Sequence, residues 1–279
     1  MRIFAPENDN KISGMKKYIL DLKVTEKLNP HSNYVLLKLT DPDGALPEMG
    51  PGQFAELRID GSKTTFLRRP ISINKIDYAR NELWLLIQFV GDGTRALGNL
   101  QVGDYVNCVL PLGNTFTTDL LDVKGLKSTE DISLLLVGGG VGIAPMLYLG
   151  AVLKDAGYKP VFLLGARSAS DLLELDEFMA LGEVFTTTED ASYGEKGFVT
   201  QHSILEKRSF DRVYCCGPKP MMQAVARFAA TKNIPCEVSL ENKMACGVGA
   251  CLCCVEDTQE GHKCVCSEGP VFLSTDLKW

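Results

Sequence analysis

Ile132-Ser-Leu-Leu-Leu-Val-Gly-Gly-Gly-Val-Gly-Ile-Ala-Pro-Met-Leu-Tyr-Leu-Gly-Ala-Val-Leu153 carries no charged residue. An uncharged run this long is either a membrane span or a set of buried elements joined by turns. Gly138-Gly139-Gly140 and Pro145 interrupt it, and a buried strand, a glycine turn and a helix account for it better. The predicted strand covers 132–137 and the helix 145–156. Proline is tolerated in a first helical turn, and Gly157 suits the position just past a helix end.

Outward from this unit the same rhythm repeats. Strands are expected at 161–164, 184–187, 213–216 and 236–240, the last of the sheet, and helices at 172–181 and 220–232. Such alternation means a parallel sheet covered by helices. The Gly138-Gly139-Gly140-Val-Gly142 turn would let a phosphate approach the backbone at a helix N-terminus. Its match to G-x-G-x-x-G is imperfect, because Ile143 stands at the third glycine. The acidic residue expected after the second strand is replaced by Ala166-Arg167-Ser168. A nucleotide site and a plain strand–helix turn both remain open. Cys215-Cys216-Gly217-Pro218 also joins a strand to a helix; it either faces the same cleft or supplies small buried filler.

Toward the N-terminus the pattern changes to short strands at 18–24, 34–39, 53–59, 71–76, 83–90 and 105–110. Asp41-Pro-Asp-Gly44 and Gly50-Pro51-Gly52 are among the turns between them. This reads as a small antiparallel barrel. Phe66-Leu-Arg68-Arg69-Pro70-Ile71-Ser72-Ile73 sets two guanidinium forks beside a strand, as a pyrophosphate would require. Val90-Gly91-Asp-Gly93-Thr94-Arg95 adds a turn with free N–H groups. Taken alone, each is equally a solvated strand end or an ordinary turn. Residues 1–14 are polar and are expected to be a disordered leader, with Met15 a candidate start; no secretory signal is visible.

Toward the C-terminus lies Cys246-Gly-Val-Gly-Ala-Cys251-Leu-Cys253-Cys254, followed by Cys264 and Cys266. Cys246, Cys251 and Cys254 have the C-x4-C-x2-C spacing of plant-type [2Fe–2S] centres, which take a fourth Cys further on. Glycines supply the backbone angles of a loop wrapped around a cluster. A structural zinc site is the main rival, though Cys264-x-Cys266 is too tight for its second pair. Unligated thiols are a third reading. The chain of 279 residues has ten cysteines, but disulfide frameworks belong to short secreted chains, so a reducing cytoplasm is expected. It is 45% hydrophobic and 23% charged with net charge −6, which is globular and argues against nucleic-acid binding. The three histidines, His31, His202 and His262, have no partners at ligand or triad spacing.

Together, Arg68-Arg-Pro-Ile-Ser-Ile73, Gly138-Gly-Gly-Val-Gly142, Cys216-Gly-Pro218, the cysteine loop and Cys266-Ser-Glu-Gly-Pro-Val-Phe272 resemble the ferredoxin–NADP reductase superfamily. Within it they are most similar to the electron-transfer subunits of class 1B dihydroorotate dehydrogenases. The resemblance runs over about 16–274. It implies an α+β multidomain chain: an FAD-binding antiparallel β-barrel (15–118), a parallel α/β domain for NAD(H) (119–241) and a small [2Fe–2S] domain (242–279). Arg69, Pro70, Ile71 and Ser72 would line the FAD, with Ile87, Gln88 and Phe89 on the next strand and Gly93 and Thr94 at its phosphates. Gly138, Gly139, Gly140, Gly142, Cys216, Gly217 and Pro218 would form the nicotinamide cleft. Cys246, Cys251, Cys254 and Cys266 would hold the cluster, and no catalytic acid or base is required.

The resemblance also implies an FMN-containing catalytic subunit as partner, in a heterotetramer of two of each, serving cytoplasmic pyrimidine biosynthesis. Only the resemblance favours NAD over NADP. Alternatives are a subunit of a flavin-dependent ferredoxin:NADP oxidoreductase or sulfide dehydrogenase, and, from another class, a zinc-binding interaction module. Two departures stand out. Ile71 replaces the aromatic residue usual before the flavin-contacting Ser or Thr, and Ala191 in Thr188-Glu-Asp-Ala191-Ser-Tyr-Gly194 stands where glycine is expected.

Overall fold

The computed structural model describes residues 16–120 and 128–279, so the expected leader at 1–14 lies outside the described residues. The first unit is a seven-stranded antiparallel sheet of β1 (Tyr18–His31), β2 (Tyr34–Thr40), β3 (Phe54–Leu57), β4 (Arg69–Ser72), β5 (Lys75–Asp77), β6 (Glu82–Gln88) and β7 (Tyr105–Leu112), with helix α1 (Asp92–Gly98) between β6 and β7. Its order is β4-β3-β7-β1-β2-β6-β5. The single strand expected at 71–76 is bent into two halves. Ile73 N donates to Gln53 O and Asn74 N to Trp84 O, both at 3.0 Å, so one run of chain passes from the β3 ladder to the β6 ladder and curls the sheet.

Period-two alternation explains why β2 and β6 are apolar on both faces. Val35, Leu37, Leu39, Leu83, Leu85 and Ile87 fill the interior of the curled sheet with Ile71 and Ile73. Tyr34, Leu36, Trp84 and Leu86 point outward into a second core shared with the next unit.

That unit is built from β8 (Ser133–Gly139), α2 (Ile143–Asp155), β9 (Lys159–Ala166), α3 (Leu175–Leu181), β10 (Glu183–Thr188), β11 (Glu195–Lys196), α4 (Ile204–Lys207), β12 (Arg212–Cys216), α5 (Lys219–Thr231) and β13 (Cys236–Ser239). The uncharged run is β8, a short 3-10 turn and the thirteen-residue α2, followed by Gly157 at φ +89°. Among the described residues no helix is long and apolar enough to cross a membrane.

The C-terminal segment holds a hairpin, β14 (Val255–Thr258) with β15 (Gly261–Cys264), and then β16 (Val271–Leu273). The sheet does not end at β13: β16 pairs antiparallel beside it, giving the order β11-β10-β9-β8-β12-β13-β16. The order turns between β8 and β12, the switch point outside which open α/β sheets place their ligands.

The linker after β7 ties the units together. Asn114 Nδ2 donates to Glu268 O (3.0 Å) and Val271 O (2.8 Å), and its Oδ1 accepts from Val271 N (2.9 Å). The buried Glu237 carboxylate accepts from Thr117 N (2.9 Å), Thr117 Oγ1 (2.5 Å) and Arg212 (2.6 Å). A buried carboxylate needs this many partners to offset its lost hydration.

Candidate functional site

At the switch point lies a cleft of about 580 Å³. Gly139 at the end of β8, Gly140 in the 3-10 turn that follows and Pro218 from the turn after β12 line it. Of the other residues expected there, Gly138 is buried in β8. Gly142 lets two turns touch, since a Cβ on it would fall 2.5 Å from the carbonyl carbon of Cys216 and 2.6 Å from Gly217 Cα. Gly217 adopts φ +151° against the Gly139 peptide, 3.0 Å from its oxygen to an added Cβ. Cys215 and Cys216 point to opposite faces of β12 and are both buried. The Cys216 thiol lies 3.8 Å from Glu241 Oε1, and Glu241 lines the cleft.

Residues from both sheets line the far wall. Tyr34 and Gln88 come from the curled sheet, and Gln88 Nε2 donates to Tyr34 Oη (3.0 Å). Burial raises the Tyr34 phenol first, Asp171 adds to this, and Arg167 opposes it. Arg167, Asp171 and Glu189 face the same space. No acid stands directly after β9, but two reach the cleft from elsewhere: Asp171, four residues past Arg167, whose Oδ2 accepts from Ser168 Oγ (3.0 Å), and Glu189 after β10. The motif spacing searched only the strand end, which is why sequence reading missed both.

The cysteine loop is a backbone nest. Gly247 (φ +67°), Gly249 (+82°) and Leu252 (+58°) adopt left-handed angles that turn peptide N–H groups inward. Val248 N donates to Cys246 Sγ (3.4 Å), Gly249 N to Cys266 Sγ (3.1 Å) and Cys266 N to Cys254 Sγ (3.4 Å). The Val248 N–H above all, aided by the peptides of Cys251 and Ala250 and by the Cys251 thiol, holds the Cys246 thiol down at about 6. Burial, followed by the neighbouring Cys254 thiol, pushes Cys266 up to about 12. The Gly249 and Cys266 N–H groups thus tie Cys254 and Cys266 to the glycine turn that also carries Cys246. Among the described residues no three His, Cys, Asp or Glu side chains converge on a single ion. Four thiols with peptide N–H groups aimed at sulfur, and no three of the described ligands gathered on one point, fit a two-iron cluster better than mononuclear zinc.

The loop rests on the curled sheet. A Cβ on Gly247 would fall 2.7 Å from Glu56 Cγ on β3 and 3.1 Å from Leu112 on β7. Glu56 is buried, and burial pushes its carboxyl up to about 7 against the pull of Arg68.

Next to β3 lies β4, with the residues expected to line a flavin. The two arginines separate. Arg68 turns back to Glu56 O (3.2 Å) and Asn107 O (2.9 Å) and is structural. Arg69 runs toward α1, where a Cβ on Gly93 would fall 2.5 Å from its Nε. A guanidinium pressed against a bare peptide at a turn is a fitting cradle for a diphosphate. Thr94 Oγ1 accepts from the N–H groups of Val90 (3.0 Å) and Gly91 (3.2 Å), holding that turn. Ile71 and Ile87 are buried in the interior, so only their backbones can meet a ligand, whereas Pro70 and Ser72 stay partly open. Phe89 packs on Gly98 of α1. Of the histidines, His202 is buried 3.7 Å from Glu195, His262 is exposed beside Asp257 and His31 meets the Tyr34 ring edge to face, and none of them lines the cleft.

The model of the iron-sulfur cluster binding domain of dihydroorotate dehydrogenase B matches residues 241–278. That of the oxidoreductase NAD-binding domain matches 136–227. The chain is 37% identical to the dihydroorotate dehydrogenase B (NAD(+)) electron transfer subunit of Fusobacterium nucleatum, covering 82% of this chain and 86% of that one. It is 42% identical to the subunit of the same name from Caldanaerobacter subterraneus, covering 81% and 86%. Among solved structures it is similar to an NADH-dependent reduced ferredoxin-NADP oxidoreductase studied for flavin-based electron bifurcation. That match has TM-score 0.79 and 28% identity, over 96% of this chain and 91% of the other.

Proposed function

The chain belongs to the family of electron-transfer subunits of dihydroorotate dehydrogenase B, and on that premise we propose that its three sites form one relay, from the cysteine loop through the curled sheet to the dinucleotide cleft. The observation that carries this reading is the position of the curled sheet. Its strand β3 bears the cysteine loop at Glu56, its strand β4 bears Arg69 and Ser72, and its residues Tyr34 and Gln88 line the cleft.

Nicotinamide exchanges two electrons as hydride, a [2Fe–2S] cluster exchanges one at a time, and a flavin does both. The chain's own residues bind and orient. Cys246, Cys251, Cys254 and Cys266 hold the cluster, and Arg69 and the Gly93 turn hold the FAD diphosphate. Gly139, Gly140 and Pro218 admit nicotinamide, while Asp171 and Glu189 face the cleft as acceptors for ribose hydroxyls, with Arg167 beside them. The substrate's carbon chemistry belongs to a separate FMN-containing catalytic subunit, two of each chain forming a cytoplasmic heterotetramer in pyrimidine biosynthesis. Electrons from dihydroorotate would leave that subunit through the cluster and end on NAD+.

Mixing the purified chain with such an FMN subunit is expected to create dihydroorotate-dependent NAD+ reduction that neither shows alone. No gain on mixing would overturn the reading. The likeness to the ferredoxin-NADP oxidoreductase supports a second reading, in which the partner is a ferredoxin-linked subunit. Ferredoxin-dependent NADP+ reduction without response to dihydroorotate would select it.

A further inference from the structure

Two cysteines near the loop have no place in the four-ligand set, and they differ. Cys253 is exposed. Cys264, the last residue of β15, is 8% exposed and turned inward. Its backbone is held on both sides: its N–H donates to Glu268 Oε2 (2.7 Å), and its carbonyl accepts from the N–H groups of Glu268 (2.8 Å) and Ser267 (3.1 Å). Its sulfur addresses the same residue as that of Cys266. Gly249 N–H points at Cys266 Sγ (3.1 Å), and Gly249 carbonyl lies 4.0 Å from Cys264 Sγ. Cys264 packs in the same buried cluster as Cys254 and Cys266, and the chain around it is tied to Cys254, whose carbonyl accepts from Val265 N (3.2 Å). It is therefore a fifth thiol beside Cys254 and Cys266.

We propose that Cys264 is a reserve ligand, which binds the iron beside Cys254 when the Cys266 thiolate is missing. The inference rests on the cluster reading above. The exchange is acid–base chemistry: the Cys264 thiol gives its proton to solvent, its sulfur lone pair fills the vacated iron position, and no electron is transferred. What has to move is the short turn from Cys264 to Glu268, which carries both thiols.

The test uses the full chain and three variants, C266A, C264A and C266A/C264A. Alanine is chosen because a serine oxygen could itself bind iron. Iron and acid-labile sulfide per chain, and the electron paramagnetic resonance spectrum after reduction, are the readouts; flavin content reports whether the sheets have folded. C264A should keep the cluster with the parent spectrum. C266A should keep most of the iron with altered g-values. The double variant should retain at most about a tenth of the cluster that C266A retains, while keeping its flavin. Loss of cluster in C266A equal to that in the double variant overturns the proposal, and so does retention in both. A parent chain without iron and sulfide would sink the cluster reading itself, a result distinct from either.

Discussion

At Gly142 an added methyl would strike the backbone of Cys216 and Gly217 at 2.5–2.6 Å, while at Gly247 and Gly249 the φ angles are +67° and +82° and the peptide N–H groups turn toward sulfur. Both turns are glycine-rich in the sequence, yet glycine serves close approach of two turns in the first and chain reversal around thiols in the second. A glycine run is therefore weak evidence of what it binds, whereas the chemistry of the neighbouring residues is strong. The cleft sets charged side chains around a close-packed turn, whereas the loop sets neutral peptide N–H groups around thiols.

The largest effect that could break this contrast concerns the thiols. C246A removes the sulfur at the centre of the nest and should abolish iron and sulfide incorporation, while C253A should leave both near the parent value. Equal loss in the two, by metal analysis, would show that the loop is not ordered as described. Next, G142A should cost about 1–3 kcal/mol, since backbone cannot yield as a side chain can. The loss should appear in denaturant unfolding together with weaker NADH binding. Unchanged NADH titrations would separate the turn from the cleft. G249A should cost about 1–2 kcal/mol from its left-handed angle, with a lower cluster yield but unchanged NADH binding.

A smaller effect lies where the two sheets meet. Glu174 (φ +57°) stands just before α3, its Oε1 accepts from Asn74 Nδ2 of the curled sheet (2.8 Å), and burial pushes its carboxyl up to about 7. Between its unfolded range near 4.5 and that value the folded chain binds the extra proton, so stability should fall as pH rises through this window. E174Q should flatten the slope, and an unchanged slope in pH-dependent melting would refute the assignment. The smallest effect is at Ala191, whose φ of +64° is the angle that glycine takes without strain. A191G should stabilise by up to about 1 kcal/mol, read as a small rise in melting temperature; a fall would mean that the turn gains more from its Cβ than it loses.

The strand–turn–helix of 132–153 was legible because buried parallel elements leave an uncharged run that only glycine and proline punctuate. The iron-sulfur domain at 241–278 was legible from its cysteine spacing, because thiols that share a cluster have little positional freedom. Other features were hidden for physical reasons. β16 is three residues behind a Gly-Pro pair, too short to show a period. Arg68 and Arg69 are identical in the sequence, and only strand direction sends one to Asn107 and the other to Gly93. Asp171 reaches the cleft from a 3-10 turn, at an offset that no strand-end motif samples.

Because β16 returns beside β13, with Glu237 opposite Leu273 and Ser239 opposite Val271, the cysteine loop leaves the sheet and rejoins it at one edge. Its ends are already gathered by the ladder, so most of the loop-closure entropy is lost before any iron arrives. On this geometry an iron-starved chain is expected to keep its sheets and to load the cluster onto a folded scaffold, which far-UV circular dichroism of the iron-free chain would check.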